Sequence, residues 1–258
     1  METGLQAAAE LLPALCEASG AIIRSYFRQR VDVEDKPDAS PVTIADRETE
    51  AKLRQLIGQR FPHHGIVGEE YGTDRADAEW VWVLDPIDGT KSFISGVPLF
   101  GTLIALLHQG QPVLGTIDQP IARERWIGIK GLPSLFNGKV IATRACDAPA
   151  KATIFTTSPD MFEGAEAEAW RRASQAAKLV RYGADCYAYG LLASGFVDAV
   201  IESSLKPYDY CALIPVIQGA GGLITDWTGR SAGLDGDGRI LAAGDPKLHE
   251  ALVRVLAG

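Results

Sequence analysis

The sequence predicts a mixed α/β fold, with α/β and α+β features, in which layers of helices alternate with layers of β-sheet. In the first half, two amphipathic helical segments precede strand-like runs that follow one another closely, as in an antiparallel sheet. In the second half, strand-like and helical segments alternate, which is typical of α/β units. We therefore expect two subdomains, residues 1–140 and a smaller one over residues 141–258, with a site where they meet.

The period of the apolar residues predicts each element. In the first half, residues 31–42 are expected to form a polar loop, the helices are 5–28 and 43–60, and the strands are 64–70, 79–85, 100–108, 112–119 and 123–129. In the second half, the expected strands are 151–158, 178–183, 196–202 and 222–227, and the expected helices are 163–177, 185–195, 209–222 and 246–256.

Composition and charge exclude several classes of function. The chain has 258 residues, 47% hydrophobic and 22% charged, which is ordinary for a soluble globular protein. A net charge of −8 disfavours nucleic acid as a partner. No apolar run approaches the ~20 residues that span a membrane. The N-terminus carries Glu2 and Glu10 without an early Lys or Arg, so we expect a cytoplasmic protein.

One short stretch, DPIDGTK at residues 85–91, brings two carboxylates to the end of the apolar run WVWVL. Asp85 and Asp88 repel each other, so either water in an ordinary turn or a bound cation has to compensate. Gly89 and Thr90 directly follow and open a segment that is able to begin a helix, whose free N–H groups attract anions. The stretch thus combines metal ligands with an anion cradle.

Other carboxylates lie at the ends of predicted elements. Glu69 and Glu70 end one strand, Asp209 begins a helix, and Asp46 lies near the start of the second helix. Taken singly, each has an ordinary interpretation as a solvated strand end, an N-cap or a partner of the helix dipole. Taken together they form a set of hard oxygen ligands, which suits Mg²⁺ or Mn²⁺. Paired with the anion cradle at Gly89 and Thr90, such a set predicts metal-assisted hydrolysis of a phosphate ester.

Four segments, in order, resemble the signatures of the inositol monophosphatase family. DPIDGTKSFISGVP (85–98) is similar to its DPIDGTxxF motif, and GEE (68–70) to its metal-binding GEE. KPDASPVTIAD (36–46) resembles its lysine loop and VTxAD segment, and ESSLKPYDY (202–210), followed by GAGG, resembles its C-terminal motif. The resemblance implies the layered αβαβα sandwich of the inositol monophosphatase and fructose-1,6-bisphosphatase type.

The resemblance also implies a set of metal ligands. Glu69, Asp85 and the backbone carbonyl of Ile87 would hold a first Mg²⁺, and Asp85, Asp88 and Asp209 would hold a second. A weaker third ion would lie near Glu69. Two to three Mg²⁺ ions are therefore expected in the site, with Mn²⁺ as a possible substitute.

The remaining roles implied by the resemblance concern water and phosphate. Thr90, with Glu69, would orient the attacking water, and Asp46 would support Thr90. The phosphate would be bound by the segment of Asp88, Gly89 and Thr90 through backbone amides. Two further residues are expected near the site, Glu70 behind the ligands and Lys36 on a mobile loop above them.

Two stretches, residues 182–210 and 85–106, look more like the histidinol-phosphate phosphatases of this family. L-Histidinol phosphate carries an ammonium group and an imidazole, so its pocket needs carboxylates away from the metals. Glu202 and Asp185 are the candidates, against the alternatives of a solvated strand end and a helix N-cap.

Two alternatives to this function stay open. The first keeps the chemistry and changes the substrate to inositol 1-phosphate or another small phosphate ester. The second is a weakly catalytic scaffold that binds a protein partner. The family resemblance further implies a homodimer.

Overall fold

The computed structural model describes residues 3–30, 33–35 and 41–258. Helices α1 (Thr3–Tyr26) and α2 (Ile44–Arg60) pack together on one face of a large sheet. Between them, Val33–Asp35 (β1) and Pro41–Thr43 (β2) pair as antiparallel strands. Part of the segment expected as a polar loop is therefore extended and paired, a tertiary contact that short polar runs do not signal.

The large sheet has eight strands among the described residues. They are β3 (Gly65–Gly68), β4 (Gly72–Asp74), β5 (Trp80–Asp88), β6 (Gly101–His108), β7 (Gln111–Gln119), β8 (Glu124–Ile129), β9 (Leu135–Phe136) and β10 (Lys139–Val140). Their order across the sheet is β10-β9-β8-β7-β6-β5-β3-β4. All neighbours are antiparallel except β3 and β5, which are parallel. A short helix, α3 (Thr90–Ile94), follows β5 directly.

The strands of the second sheet are β11 (Thr153–Thr156), β12 (Leu179–Tyr182), β13 (Ala199–Glu202), β14 (Leu223–Thr225) and β15 (Ile240–Ala243). Their order is β12-β11-β13-β15-β14, and the sheet is mixed, with β11 parallel to both of its neighbours. The helices of this half are α4 (Ala165–Ala176), α5 (Asp185–Ala193), α6 (Pro207–Tyr210), α7 (Leu213–Gly219) and α8 (Pro246–Ala257). Short 3-10 turns lie at Pro149–Lys151 and Pro159–Met161.

Successive side chains of a strand point to opposite faces of the sheet, so each sheet packs against helices on both faces. In β5, Trp82 and Leu84 face α1 and α2, whereas Val81 and Val83 face the cluster that contains α5 and α7. The second sheet covers the other side of those two helices and packs its far face against α4 and α8. The order is therefore helices, sheet, helices, sheet, helices, as expected. One buried cluster includes residues of both predicted subdomains, so the two halves share a core.

One expectation about the second half was wrong, and one strand was missed. The predicted helix 209–222 is split into α6 and α7, because Pro215 has no N–H to donate to the carbonyl of Cys211 four residues earlier. Strand β15 was not predicted. Two of its four residues are alanine, which is depleted in strands, and the strand forms between β13 and β14, which supply its hydrogen bonds.

Two glycines of the large sheet let the segment of α6 and α7 lie close to its strands. A Cβ on Gly115 would come within 2.0 Å of the carbonyl oxygen of Ala212, and a Cβ on Gly128 within 2.2 Å of the backbone of Pro215. Neither backbone atom is able to rotate away as a side chain would. The two glycines therefore set the depth of the segment that carries Asp209.

We predict that Gly128→Ala lowers the free energy of unfolding by about 2 kcal/mol, because overpacking forces the backbone of α7 away from the sheet. Gly58→Ala is the matched control. Gly58 is an exposed residue of α2 with nothing near its Cβ position, so the same substitution should raise stability by about 0.5–1 kcal/mol. Urea unfolding of the metal-free proteins measures both changes. Equal effects would contradict the close approach of α7.

Candidate functional site

An irregularity in β5 turns two aspartates to the same side. Asp85 pairs with Leu103 and Asp88 with Gly101, so three steps along β5 match two steps along β6. Residues three apart in a regular strand point to opposite faces, and the extra residue of this bulge cancels that difference. Pro86 lies inside the bulge, where it has no N–H to donate, and its carbonyl accepts a hydrogen bond of 2.9 Å from Thr102 Oγ1.

Asp209 joins the two aspartates from the other half of the chain. It occupies the third position of α6, and its Oδ2 accepts a hydrogen bond of 2.6 Å from the backbone N–H of Lys206, just before the helix. One carboxylate oxygen from each of Asp85, Asp88 and Asp209 lies within 4.8 Å of the others. The predicted ligands from both halves thus converge on one point.

The electrostatics of this cluster favour a bound cation or protonation. Burial raises the pKa of Asp85 well above its usual value, and the charges of Glu69, Asp88 and Asp209 raise it further. Burial likewise raises the pKa of Asp209 to about 7, although the N–H of Lys206 opposes it. The Oδ1 of Asp85 is buried without a hydrogen-bond partner among the described residues. An unsatisfied buried carboxylate oxygen among like charges is what a hard divalent cation would satisfy, so the residues fit a metal.

The residue just before α3 has a backbone conformation that favours glycine. Gly89 has a φ of 88°, in the left-handed region, and a Cβ there would come within 2.8 Å of Asp185 Oδ2. The first turn of α3 follows, and the Oγ1 of Thr90 lies 3.1 Å from the carbonyl of Ile87 and 3.4 Å from Asp46 Oδ1. Asp46 therefore contacts Thr90.

Asp46 is itself held by Thr43, the residue just before α2. Its Oδ2 accepts hydrogen bonds from the backbone N–H of Thr43 at 2.8 Å and from its hydroxyl at 2.6 Å. The Thr43 hydroxyl in turn caps the helix through the N–H of Ala45. This arrangement leaves Oδ1 of the fully buried Asp46 directed at Thr90.

Asp88 and Asp185 connect the cluster to α5. The backbone N–H of Cys186 donates to Asp88 Oδ2 at 2.6 Å, and Ser92 Oγ donates to Asp185 Oδ2 at 2.8 Å. Asp185 is not an N-cap, because Ala184 holds that position and α5 has no side-chain cap. Burial raises the pKa of Asp88 well above its usual value, and the charge of Asp185 raises it further.

Glu202 ends β13 and is buried, with 4% of its surface exposed, so it is not a solvated strand end. Its Oε1 accepts hydrogen bonds from the N–H of Thr157 at 3.0 Å and from the Thr157 hydroxyl at 2.5 Å. Its Oε2 accepts one from Tyr189 Oη at 2.8 Å. Burial raises the pKa of Glu202 to about 7, while these hydrogen bonds oppose the shift.

A cavity of about 150 Å³ joins Glu202 to the aspartate cluster. Its walls are formed by Asp88, Thr157, Met161, Asp185, Cys186, Tyr189, Glu202, Leu205 and Asp209. Four carboxylates therefore surround one small space. Two of them belong to the cluster, and Asp185 and Glu202 lie beyond it.

A model of the inositol monophosphatase family matches residues 5–257. The chain belongs to this family. Among its relatives, the chloroplastic bifunctional phosphatase IMPL2 of Arabidopsis thaliana is 51% identical over 264 residues, which cover 99% of this chain and 76% of the relative. A histidinol-phosphatase of Chlorobaculum parvum is 36% identical over 235 residues, covering 90% and 91%.

The fold agrees with the family. The solved structure of an inositol monophosphatase from Zymomonas mobilis matches with a TM-score of 0.92 at 43% identity, over 100% of both chains. Members of the inositol monophosphatase family are metal-dependent phosphatases, so this protein is a hydrolase of that class. Within the part of the chain that the structure describes, no helix is both long and apolar enough to cross a membrane.

The structure also places the remaining predicted residues of this family site. Glu69 follows β3, and its N–H donates to the carbonyl of Leu84 at 3.2 Å, which sets it beside Asp85. Glu70 comes next and is half-buried. Lys36 lies outside the described residues.

Sequence reasoning missed three contributors to the site. Thr157 and Tyr189 hold Glu202, and Glu50 of α2 accepts from the backbone N–H groups of Glu70 and Tyr71. Glu50 carried a signal, since it lies four residues after Asp46 and three before Leu53, on the buried face of a helix. Thr157 and Tyr189 carried none, because only the tertiary fold brings them to Glu202.

The raised pKa values give a pH dependence of metal binding. A carboxyl group whose pKa is higher in the folded protein than its unfolded value of about 3.9 destabilises the metal-free fold at high pH. That cost begins to fall as the pH drops below the folded pKa, about 7 for Asp209, and is gone below the unfolded pKa. Protons and cations then compete for the same oxygens.

We therefore predict that saturating Mg²⁺ raises the melting temperature more at pH 8 than at pH 6. Differential scanning fluorimetry with Mg²⁺ and with EDTA measures the difference. Asp85→Asn should abolish the Mg²⁺ shift, whereas Asp77→Asn, in an exposed loop, should keep it. A Mg²⁺ shift of the same size at both pH values would contradict the assignment of the cluster as the metal site.

Proposed function

We propose that the protein hydrolyses L-histidinol phosphate to L-histidinol and phosphate, with Mg²⁺ as its cofactor. The observation that carries this proposal is the cavity beside the aspartate cluster, which has two further carboxylates in its wall. The similarity to a histidinol-phosphatase over 90% of the chain supports the same substrate. A substrate with a phosphate at one end and cationic or N–H groups at the other matches this arrangement.

Glu202 has the capacity to bind the cationic end. An ionised carboxylate offers about four lone-pair sites, and the structure uses three of them. An ammonium or imidazole N–H in the cavity would take a further site and keep the buried carboxylate charged. Asp185, which accepts from Ser92, would be the second acceptor on the same side.

The metal site in this proposal consists of Glu69, Asp85, the Ile87 carbonyl, Asp88 and Asp209, which would hold two to three Mg²⁺ ions or, as substitutes, Mn²⁺. Bound ions of this kind neutralise a phosphate, lower the pKa of a water molecule and stabilise a leaving oxygen. The oxygen chemistry of the five donors suits them.

The protein's own groups position the reacting atoms. The Thr90 hydroxyl is held by Asp46. Together with Glu69, it would form hydrogen bonds that orient the attacking water. The amides of Gly89 and Thr90 at the start of α3, next to Asp88, would bind phosphate oxygens. Because Asp46 is fully buried and bonded to Thr43, it holds Thr90 in one orientation.

A second substrate, myo-inositol 1-phosphate, is favoured by the similarity to the inositol monophosphatase of Zymomonas mobilis. Glu202 is able to accept a hydrogen bond from a hydroxyl of the inositol ring as well as from an N–H. A weakly catalytic protein-binding scaffold is a third hypothesis, and the cluster of Asp85, Asp88 and Asp209 with Glu69 beside it argues against it. We further propose a homodimer in the cytoplasm, which sedimentation and cell fractionation would test.

Phosphate release from L-histidinol phosphate and from myo-inositol 1-phosphate, assayed in parallel, tests the proposed substrate. We predict at least a tenfold higher kcat/KM for histidinol phosphate, and loss of both activities in EDTA. A preference for the inositol ester would reject histidinol phosphate as the main substrate but would still support metal-dependent phosphatase activity. No turnover of either ester would favour the scaffold.

We predict that Glu202→Gln lowers kcat/KM for histidinol phosphate by about 100-fold, since loss of a charge-assisted hydrogen bond costs roughly 1.5–3 kcal/mol. The loss should be much smaller for p-nitrophenyl phosphate, whose leaving group has no cation. Glu163→Gln, an exposed glutamate of the same half, serves as the control. Equal losses on both esters would show that Glu202 does not recognise the cationic end.

A further inference from the structure

A buried glutamate outside the aspartate cluster has no part in the proposed function. Glu50 lies on α2, one turn after Asp46, and none of its surface is exposed. An ionisable group is seldom buried so completely unless specific partners hold it. Its partners therefore indicate what it does.

Glu50 binds the backbone of the loop that carries Glu69. Its Oε2 accepts from the N–H of Glu70 at 2.7 Å, and its Oε1 accepts from the N–H of Tyr71 at 3.2 Å. These are the two peptide groups directly after Glu69. On the other side of Glu69, its own N–H donates to the carbonyl of Leu84, the residue before Asp85. The peptide segment around Glu69 is thus anchored from both directions.

The glycine before Glu69 allows this close contact. A Cβ on Gly68 would lie 2.1 Å from Glu50 Oε1, so a side chain there would displace the carboxylate. Gly68 ends β3, where it pairs with Leu84 of β5. The carboxylate therefore lies directly against the strand end from which Glu69 emerges.

Arg54 completes the anchor. Its Nε donates to Glu50 Oε1 at 2.7 Å, and its Nη2 donates to the carbonyl of Gly72, at the other end of the loop. The arginine is largely buried, with 19% of its side chain exposed, and it balances the charge of Glu50. Two amides and one carbonyl of the loop are consequently bound to a single ion pair on α2.

We propose that Glu50 is a positioning residue for the metal site, which holds Glu69 next to Asp85 against the repulsion between the two carboxylates. The inference rests on the proposed metal site and not on the identity of the substrate. Helix α2 then fixes two parts of that site, Thr90 through Asp46 and Glu69 through Glu50. Such outer partners commonly change metal affinity by roughly 10–100-fold when they are removed.

Glu50→Gln tests the proposal, because an amide has one accepting oxygen and leaves a loop N–H or Arg54 without its partner. Calorimetric titration with Mn²⁺ and the Mg²⁺ dependence of phosphate release from p-nitrophenyl phosphate are the readouts. We expect the Mn²⁺ dissociation constant and the Mg²⁺ activation constant to rise about 10–100-fold. We expect kcat at saturating Mg²⁺ to change only a few-fold. Glu50→Asp keeps the charge on a shorter side chain and should fall between Glu50→Gln and wild type.

Glu48→Gln is the matched control, since Glu48 is an exposed residue of the same helix that accepts only from Tyr26 Oη among the described residues. A lower melting temperature in EDTA with unchanged metal constants would assign Glu50 a structural role and overturn the proposal. If Glu50→Gln fails to fold, the metal constants and the melting temperature of Glu50→Asp are compared in the same way. Wild-type Mn²⁺ binding without turnover of histidinol phosphate would reject the substrate alone. Absence of Mn²⁺ binding by the wild type would reject the metal site and the positioning role with it.

Discussion

Repulsion between carboxylates held close together is the constraint on which the rest of the structure depends. Asp85 and Asp88 come from one strand and Asp209 from a helix more than a hundred residues later, and their oxygens share one small volume. Left alone, such a group would separate or take up protons. The fold prevents separation by anchoring each carboxylate in rigid backbone, which leaves protonation or a cation as the means of relief.

The anchors follow one rule, in which a backbone N–H outside the residue's own helix or strand fixes one carboxylate oxygen. Asp88 accepts from Cys186, Asp209 from Lys206, and Asp46 from Thr43. Asp85 is the exception, since its Oδ1 has no such partner among the described residues. The carboxylate at the centre of the cluster is thus the one whose stabilisation depends most on what binds there.

Sequence reasoning reached the layered fold and the three clustered aspartates because both leave local signals. Apolar periodicity marks the main elements, and the carboxylates lie in short motifs at element ends. It failed where only tertiary contacts decide. The four residues of β15 become a strand between two others, and the bulge that turns Asp85 and Asp88 together depends on pairing with β6. Tyr189 reaches Glu202 only after α5 has packed on the second sheet.

The charge pattern also implies that the metal ions bind before the phosphate of the substrate in the proposed reaction. The chain carries a net charge of −8, and Asp88, Asp185, Glu202 and Asp209 surround the cavity, so a phosphate approaching the metal-free site meets repulsion on every side. Bound cations reverse the local field at one end of the cavity only. The other end stays negative and continues to attract an ammonium or imidazolium group. A substrate with phosphate and cation at opposite ends is therefore aligned by the same carboxylates that, without metal, would exclude it.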